Sequence, residues 1–304
     1  MTVMKLKFNV TGRTQPDPFI FEDNGKFYIY VTANSGVEAY SADDIFGEWK
    51  HEGVICSVDG WVQYWAPCIA KIGGKYYLYF SCQNKECFQH LHVAEGESPL
   101  GPFTKKKMLY DRFTIDAHVV ETNAGLFLWY AENNCEDERV GTRVFVDKLI
   151  DPMTPANICK EVIRPSFDEE IFKRNRFGDG KDWHTLEGAF YFREGDWQYV
   201  MFSGACYENE TYHIGYAAAK TDEEDLTKID FVKHTDNGKW VPTMFKNDVE
   251  EGVGHHSVIK LDGQYYAIYH GRDVIVDPND ASSERRTARI CKLNVKDGII
   301  TADR

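Results

Sequence analysis

Three carboxylic acids stand at comparable places along this 304-residue chain: Asp17 in QPDPFIF, Asp116 in TIDAHVV and Glu187 in WHTLEGAFYF. Asp17 is set between two prolines, which stiffen the backbone on both sides. Acids crowded into one site repel one another, so at least one acquires a raised pKa and keeps a proton near neutrality. A protonated acid beside an ionised one is the equipment for cleaving an acetal: one protonates the departing oxygen while the other activates water. Singly, each has a plain structural reading as a turn cap, a backbone partner or a surface acid. A hard cation held among oxygen ligands is the other chemistry open to such a trio.

What would bring the three together is a repeat. PDPFIFEDNGKFYIYVT is followed by APCIAKIGGKYYLYFS, DAHVVETNAGLFLWYA, EGAFYFREGDWQYVMFSG and HHSVIKLDGQYYAIYHG. Each is a short apolar strand, a polar turn with glycine and a second strand rich in aromatics. The turn glycines are Gly25, Gly74, Gly125, Gly195 and Gly263, so the period runs 49, 51, 70 and 68 residues. That length suits four-stranded propeller blades, and no long amphipathic helix interrupts it. The reading is an all-β, five-bladed β-propeller forming a single domain over residues 1–304. Regular hairpins in a β-sandwich are the competing fold.

The repeat also gives a phase. Eight residues before the turn glycine stand Asp17, Ala66, Glu187 and His255, while Asp116 stands nine before its own. If the hairpins are equivalent, these five positions surround one axial mouth.

The formal net charge of −13 disfavours nucleic acid and anionic membranes as partners. No apolar run reaches the length of a signal peptide or a membrane span, and cytoplasmic residence is expected. Of eight cysteines only Cys82 and Cys87 are close, with no CxxC pair, so neither a zinc site nor a disulfide framework is expected.

With these residues in view, the chain resembles glycoside hydrolase family 43. The motifs are Gln15-Pro16-Asp17-Pro18, Trp65-Ala66-Pro67, Ile115-Asp116-Ala117, Leu186-Glu187-Gly188, Gly254-His255-His256-Ser257 and Tyr269-His270 in order, with RRTARICKL beyond. The similarity implies a five-bladed propeller cleaving β-xylosides or α-L-arabinofuranosides with inversion, nearest to single-domain intracellular β-xylosidases. It implies Asp17 as general base, Glu187 as general acid and Asp116 as the acid that tunes Glu187. It implies Arg286 near the sugar, keeping Asp116 ionised, Trp65 as an aromatic wall, and His270 among the substrate contacts. His255 matches an axial histidine that binds calcium or an ordered water in many members, a metal that would tune the site without entering the chemistry. Two positions depart from the family: Cys68 where Asp is common, expected at the pocket floor, and His256 where Asn is usual. The implied function is an exo-acting β-D-xylosidase on short xylo-oligosaccharides. An α-L-arabinofuranosidase acting on arabino-oligosaccharides and a catalytically silent sugar-binding propeller are the alternatives. The insertion DEEIFKRNRFGDGKDWH at 168–184 is expected to close the pocket mouth.

Overall fold

A computed structural model describes residues 3–84, 86, 88–274 and 285–304; Cys87 therefore lies outside the described residues. The described part is all-β, with helix confined to two three-residue 3₁₀ turns.

All five hairpins of the repeat form. They pair Phe19–Asp23 with Lys26–Val31, Val62–Ile72 with Lys75–Gln83, Thr114–Thr122 with Gly125–Asn134, Trp183–Glu194 with Trp197–Gly204, and Glu250–Leu261 with Gln264–Asp273. Each continues outward as an antiparallel meander, by adding for example Val37–Ala42 and Glu48–Cys56 to the first and Thr287–Lys296 and Ile299–Asp303 to the fifth. The third and fourth meanders are joined by a short parallel bridge, Gly141 to His184 and Thr142 to Thr185. Near the N-terminus, Met4–Lys5 pairs with Thr287–Lys296, and Lys7–Phe8 pairs with Glu48–Cys56. That segment therefore stitches the last meander to the first.

The apolar core is divided among the interfaces. Tyr30, Ile69 and Leu78 pack between hairpins one and two, and Tyr79, Val119 and Leu128 between two and three. Trp129, Leu186 and Val200 lie between three and four, Met201, Val258 and Ala267 between four and five, and Ile29, Ile268 and Ile290 between five and one. The order returns to its start. Strands that alternate apolar residues on both faces need two partners each, and a cyclic succession supplies them. Phe19 touches three of these clusters, and its ring lies 6.1 Å from both His118 and Phe190.

Just before the first strand of hairpin one, and within the first strands of the others where the ladder shifts register, a residue at one shared place adopts a left-handed backbone: Asp17 (φ 53°), Ala66 (41°), Asp116 (63°), Gly188 (60°) and His255 (44°). Each lies eight residues before the second turn residue, which is Gly25, Gly74, Ala124, Asp196 and Gly263 in turn. Counting from the glycine misplaces hairpin four, because Gly195 is the first turn residue there. Gly188 holds the shared position, and Glu187 stands one residue earlier, level with Trp65, Ile115 and Gly254. Left-handed backbone costs a non-glycine residue about 1–2 kcal/mol, so four such residues at one level mark strain kept for a purpose.

Candidate active site

The strained positions open onto a cavity of about 520 Å³ lined from every hairpin: Asp17 and Thr32, Gln63 and Trp65, Ile115 and Asp116, Glu187, Tyr207 and Tyr212, then His255 and Arg286. The three acids do converge. Beneath them a void of about 10 Å³ separates Asp17 and Asp116 from His118 and His256, room for about one water.

Asp17 is held from several sides. Thr32 donates its hydroxyl to Oδ2 at 2.5 Å, and the same Thr32 oxygen accepts the Ala66 N–H at 2.8 Å. Oδ1 faces His270 Nδ1 at 3.2 Å, His255 Nδ1 at 3.5 Å and Arg286 Nη1 at 3.6 Å. Burial alone would raise this carboxyl; His255, His270 and Arg286 outweigh it and hold Asp17 well below the usual carboxylate range. Burial pushes His270 down to about 4 and His255 down as well, so near neutrality the standing counter-charge is Arg286. His270 Nδ1 accepts the Asp17 N–H at 3.1 Å, which leaves the proton of the neutral ring on Nε2.

Asp116 and Glu187 lie on the other side of the balance. Burial, then the charges of Glu187 and Asp17, raise Asp116 well above its ordinary range, against one N–H from Gly188 to Oδ2 at 3.0 Å. Burial also raises Glu187, to about 7; the Tyr212 hydroxyl, at 2.8 Å from Oε1, and Arg286 oppose the rise. This pair retains a proton near neutrality while Asp17 does not.

Several expected placements change. Arg286 acts on Asp17 and Glu187, whereas Asp116 is governed by burial and neighbouring acids. The guanidinium also covers the Tyr207 ring at 4.9 Å. His270 is fully buried and is not among the cavity-lining residues. It sits opposite Gly254 on the inner edge of hairpin five and acts on the site through Asp17. Cys68 is fully buried in the core between hairpins two and three, where burial pushes its thiol up to about 12. His256 lies at the small void with neither ring nitrogen hydrogen-bonded. No residue of 168–184 lines the cavity; Phe172 reaches it only through the Tyr207 ring, at 6.2 Å. Trp65 does line the cavity, its indole N–H donating to Gln63 Oε1 at 3.3 Å.

Calcium takes six to eight oxygen ligands. Among the described residues no three His, Cys, Asp or Glu side chains converge on one ion, and His255 meets Asp17 and Asp116 at 3.5 and 4.0 Å as a single imidazole. That donor set does not fit a protein-built calcium centre. Also among the described residues, no helix is long and apolar enough to cross a membrane.

Thr32, Tyr207 and Tyr212 were not foreseen. Hairpin register could have found Thr32, since its N–H bonds the Pro16 carbonyl directly across from Asp17. Tyr212 sits in the loop after hairpin four, one tyrosine among seventeen, with nothing local to mark it.

Comparison with known proteins identifies the family. Xylosidase/arabinosidase 43A of Humicola insolens is 23% identical over 86% of this chain and 89% of its own length. A xylosidase/arabinosidase of Bacteroides ovatus is 23% identical over 94% of both. The crystal structure of a thermostable family-43 glycoside hydrolase superposes with a TM-score of 0.81 at 25% identity, covering 99% of this chain and 96% of that one. The Cellvibrio cellulosa α-L-arabinanase complexed with arabinohexaose shares the fold with a TM-score of 0.69 at 18% identity, over 96% of each chain. The sequence profile of glycosyl hydrolases family 43 matches residues 9–300, and the chain belongs to that family.

Proposed function

We propose that the protein is an inverting, exo-acting β-D-xylosidase on short xylo-oligosaccharides, built as a five-bladed propeller. The cyclic order of hairpins and the five inter-hairpin clusters support that architecture. A cavity walled from every hairpin suits a chain end better than a chain passing through, which supports exo action.

One observation carries the chemistry: within a single cavity, Asp17 is driven to stay ionised while Glu187 is raised to about 7. Environments that push two acids apart assign their roles. Asp17 takes a proton from water as its oxygen bonds to the anomeric carbon. The glycosidic C–O bond breaks as Glu187 delivers its proton to the departing oxygen. Asp116 sets the field around Glu187 and donates nothing to the sugar. Trp65 offers a ring face for stacking. No step passes through a metal, so a chelator should leave most of the turnover.

The test is hydrolysis of nitrophenyl β-D-xyloside and α-L-arabinofuranoside by wild type and Glu187→Gln. Loss in the variant should be severe on disaccharides, and kcat/KM of wild type should fall above about pH 7. Turnover of neither glycoside by wild type would leave a sugar-binding module instead. An α-L-arabinofuranosidase, alone or as a second activity, is the other reading; it is favoured by relatives whose names join xylosidase with arabinosidase.

A further inference from the structure

Among the described residues, the hydroxyl of Tyr212 has one hydrogen-bond partner, Glu187 Oε1 at 2.8 Å. The ring is 1% exposed and stacks on His270 with centroids 5.6 Å apart and planes 10° from parallel. His270 in turn accepts the backbone N–H of Asp17. A second constraint is Gly254, the cross-strand partner of His270: a Cβ there would meet Tyr212 Cε1 at 1.9 Å, so the ring occupies space that only a glycine leaves. A buried phenol is thus seated against hairpin five with its single donor aimed at one oxygen of an acid on hairpin four.

We propose that Tyr212 is a positioning residue that keeps the transferable proton of Glu187 on Oε2. This rests on Glu187 being the general acid. A tyrosine hydroxyl has one proton to give. Given to Oε1, it makes that oxygen the acceptor in both charge states, so the acid's own proton sits on Oε2. The bond is stronger to the carboxylate than to the neutral acid, so Tyr212 also favours ionisation. Other groups act on Glu187 from the surrounding elements: Asp17 and Asp116 from hairpins one and three, Arg286 from the fifth meander, and Cys206 beside Tyr212; His255 lines the same cavity. Among these Arg286 is the only fixed cation, and it also serves Asp17. Through its stack on His270, the same ring couples the placement of the acid to that of the base.

The decisive variant is Tyr212→Phe, which keeps the ring and removes one oxygen. Measured on whichever pentoside the wild type hydrolyses, the alkaline limb of kcat/KM should move up by about one pH unit, the direction given by loss of a donor to the charged form. The loss should be roughly tenfold or more for an unactivated sugar leaving group and within about threefold for dinitrophenolate, which needs no proton. Gly254→Ala should displace the ring and give the same upward shift with a larger loss, so the test does not hang on one variant folding. A purely structural role predicts equal losses on both leaving groups and an alkaline limb left where the wild type has it; that result overturns the proposal. Glu187→Gln measured on the same two substrates separates the two levels. If it loses no more on the poor leaving group than on the good one, the acid assignment itself fails. If it discriminates while Tyr212→Phe does not, only the role of Tyr212 falls.

Discussion

Glu187, half-buried at the cavity, and Glu250, fully buried, belong to neighbouring hairpins and keep opposite company. Glu250 is 0% exposed. It accepts from Tyr269 at 3.1 and 3.2 Å and from Arg289 Nη1 at 3.1 Å, and it also pairs with Arg304. Arg304 further donates to the Phe245 carbonyl at 2.7 Å, so one acid ties the last residue to the fifth meander. Two guanidiniums answer one carboxylate. Glu187 accepts from one phenol, it shares its cavity with Asp17 and Asp116, and the nearby guanidinium of Arg286 is divided between Asp17 and Glu187. Buried charge is tolerated where it is paired and hydrogen-bonded, and otherwise the group takes up a proton. The more deeply buried of the two is the one fully paired, so what separates a structural acid from a proton donor is the shortage of donors around it.

The largest expected effect tests the short side. Glu187→Gln should cut turnover of disaccharides by roughly 10²–10⁴-fold. It should also change how stability depends on pH. The folded-state pKa of Glu187, about 7, lies above its ordinary 4.5. Stability held by the protonated form is therefore fully present below pH 4.5 and lost as pH rises through about 7. Against the glutamine variant that loss amounts to about 3 kcal/mol by pH 8. Urea unfolding of both proteins at pH 4.5 and 8 measures it, and a gap that fails to widen with pH would break the contrast with Glu250. Next comes the well-supplied side. Glu250→Gln leaves Arg289 and Arg304 facing an uncharged amide, a change expected to cost about 3–5 kcal/mol. Turnover at low temperature should stay within about threefold of wild type. Activity lost with stability intact would mean that Glu250 also serves the site.

Hairpins were readable because their determinants are local: alternating aromatics, a glycine turn and a two-residue side-chain period. The cluster of acids was readable for a less direct reason. Asp17 and Asp116 do share a backbone position, but Glu187 reached the tally by a one-residue error, since the glycine counted from opens the fourth turn and closes the first, second and fifth. Glutamate is one methylene longer than aspartate, and it enters the same cavity from the preceding residue. Partners were harder. Arg286 and His270 were placed by similarity near the sugar and Asp116. Which carboxylate a guanidinium serves, or whether an imidazole reaches the cavity, depends on packing across hairpins that no single segment encodes. The insertion at 168–184 shows the same limit, because length alone does not say which face a loop covers.

Thr32 offers a finer test, since Asp17 stands between the two extremes. Its Oδ2 takes the Thr32 hydroxyl, while Oδ1 meets a guanidinium at 3.6 Å and two imidazoles that burial keeps uncharged near neutrality. Thr32→Val preserves shape and removes both the donor to Asp17 and the acceptor of the Ala66 N–H. A hydrogen bond to a charged group contributes about 1.5–3 kcal/mol, so the base should lose orientation and kcat should fall roughly tenfold, with KM little changed. The acid limb of kcat/KM should move to higher pH, because the ionised form has lost a donor. If kcat holds and the limb stays in place, Arg286 alone is keeping Asp17 ionised and aligned. The donor supply around the base would then resemble that of Glu250 more than that of Glu187.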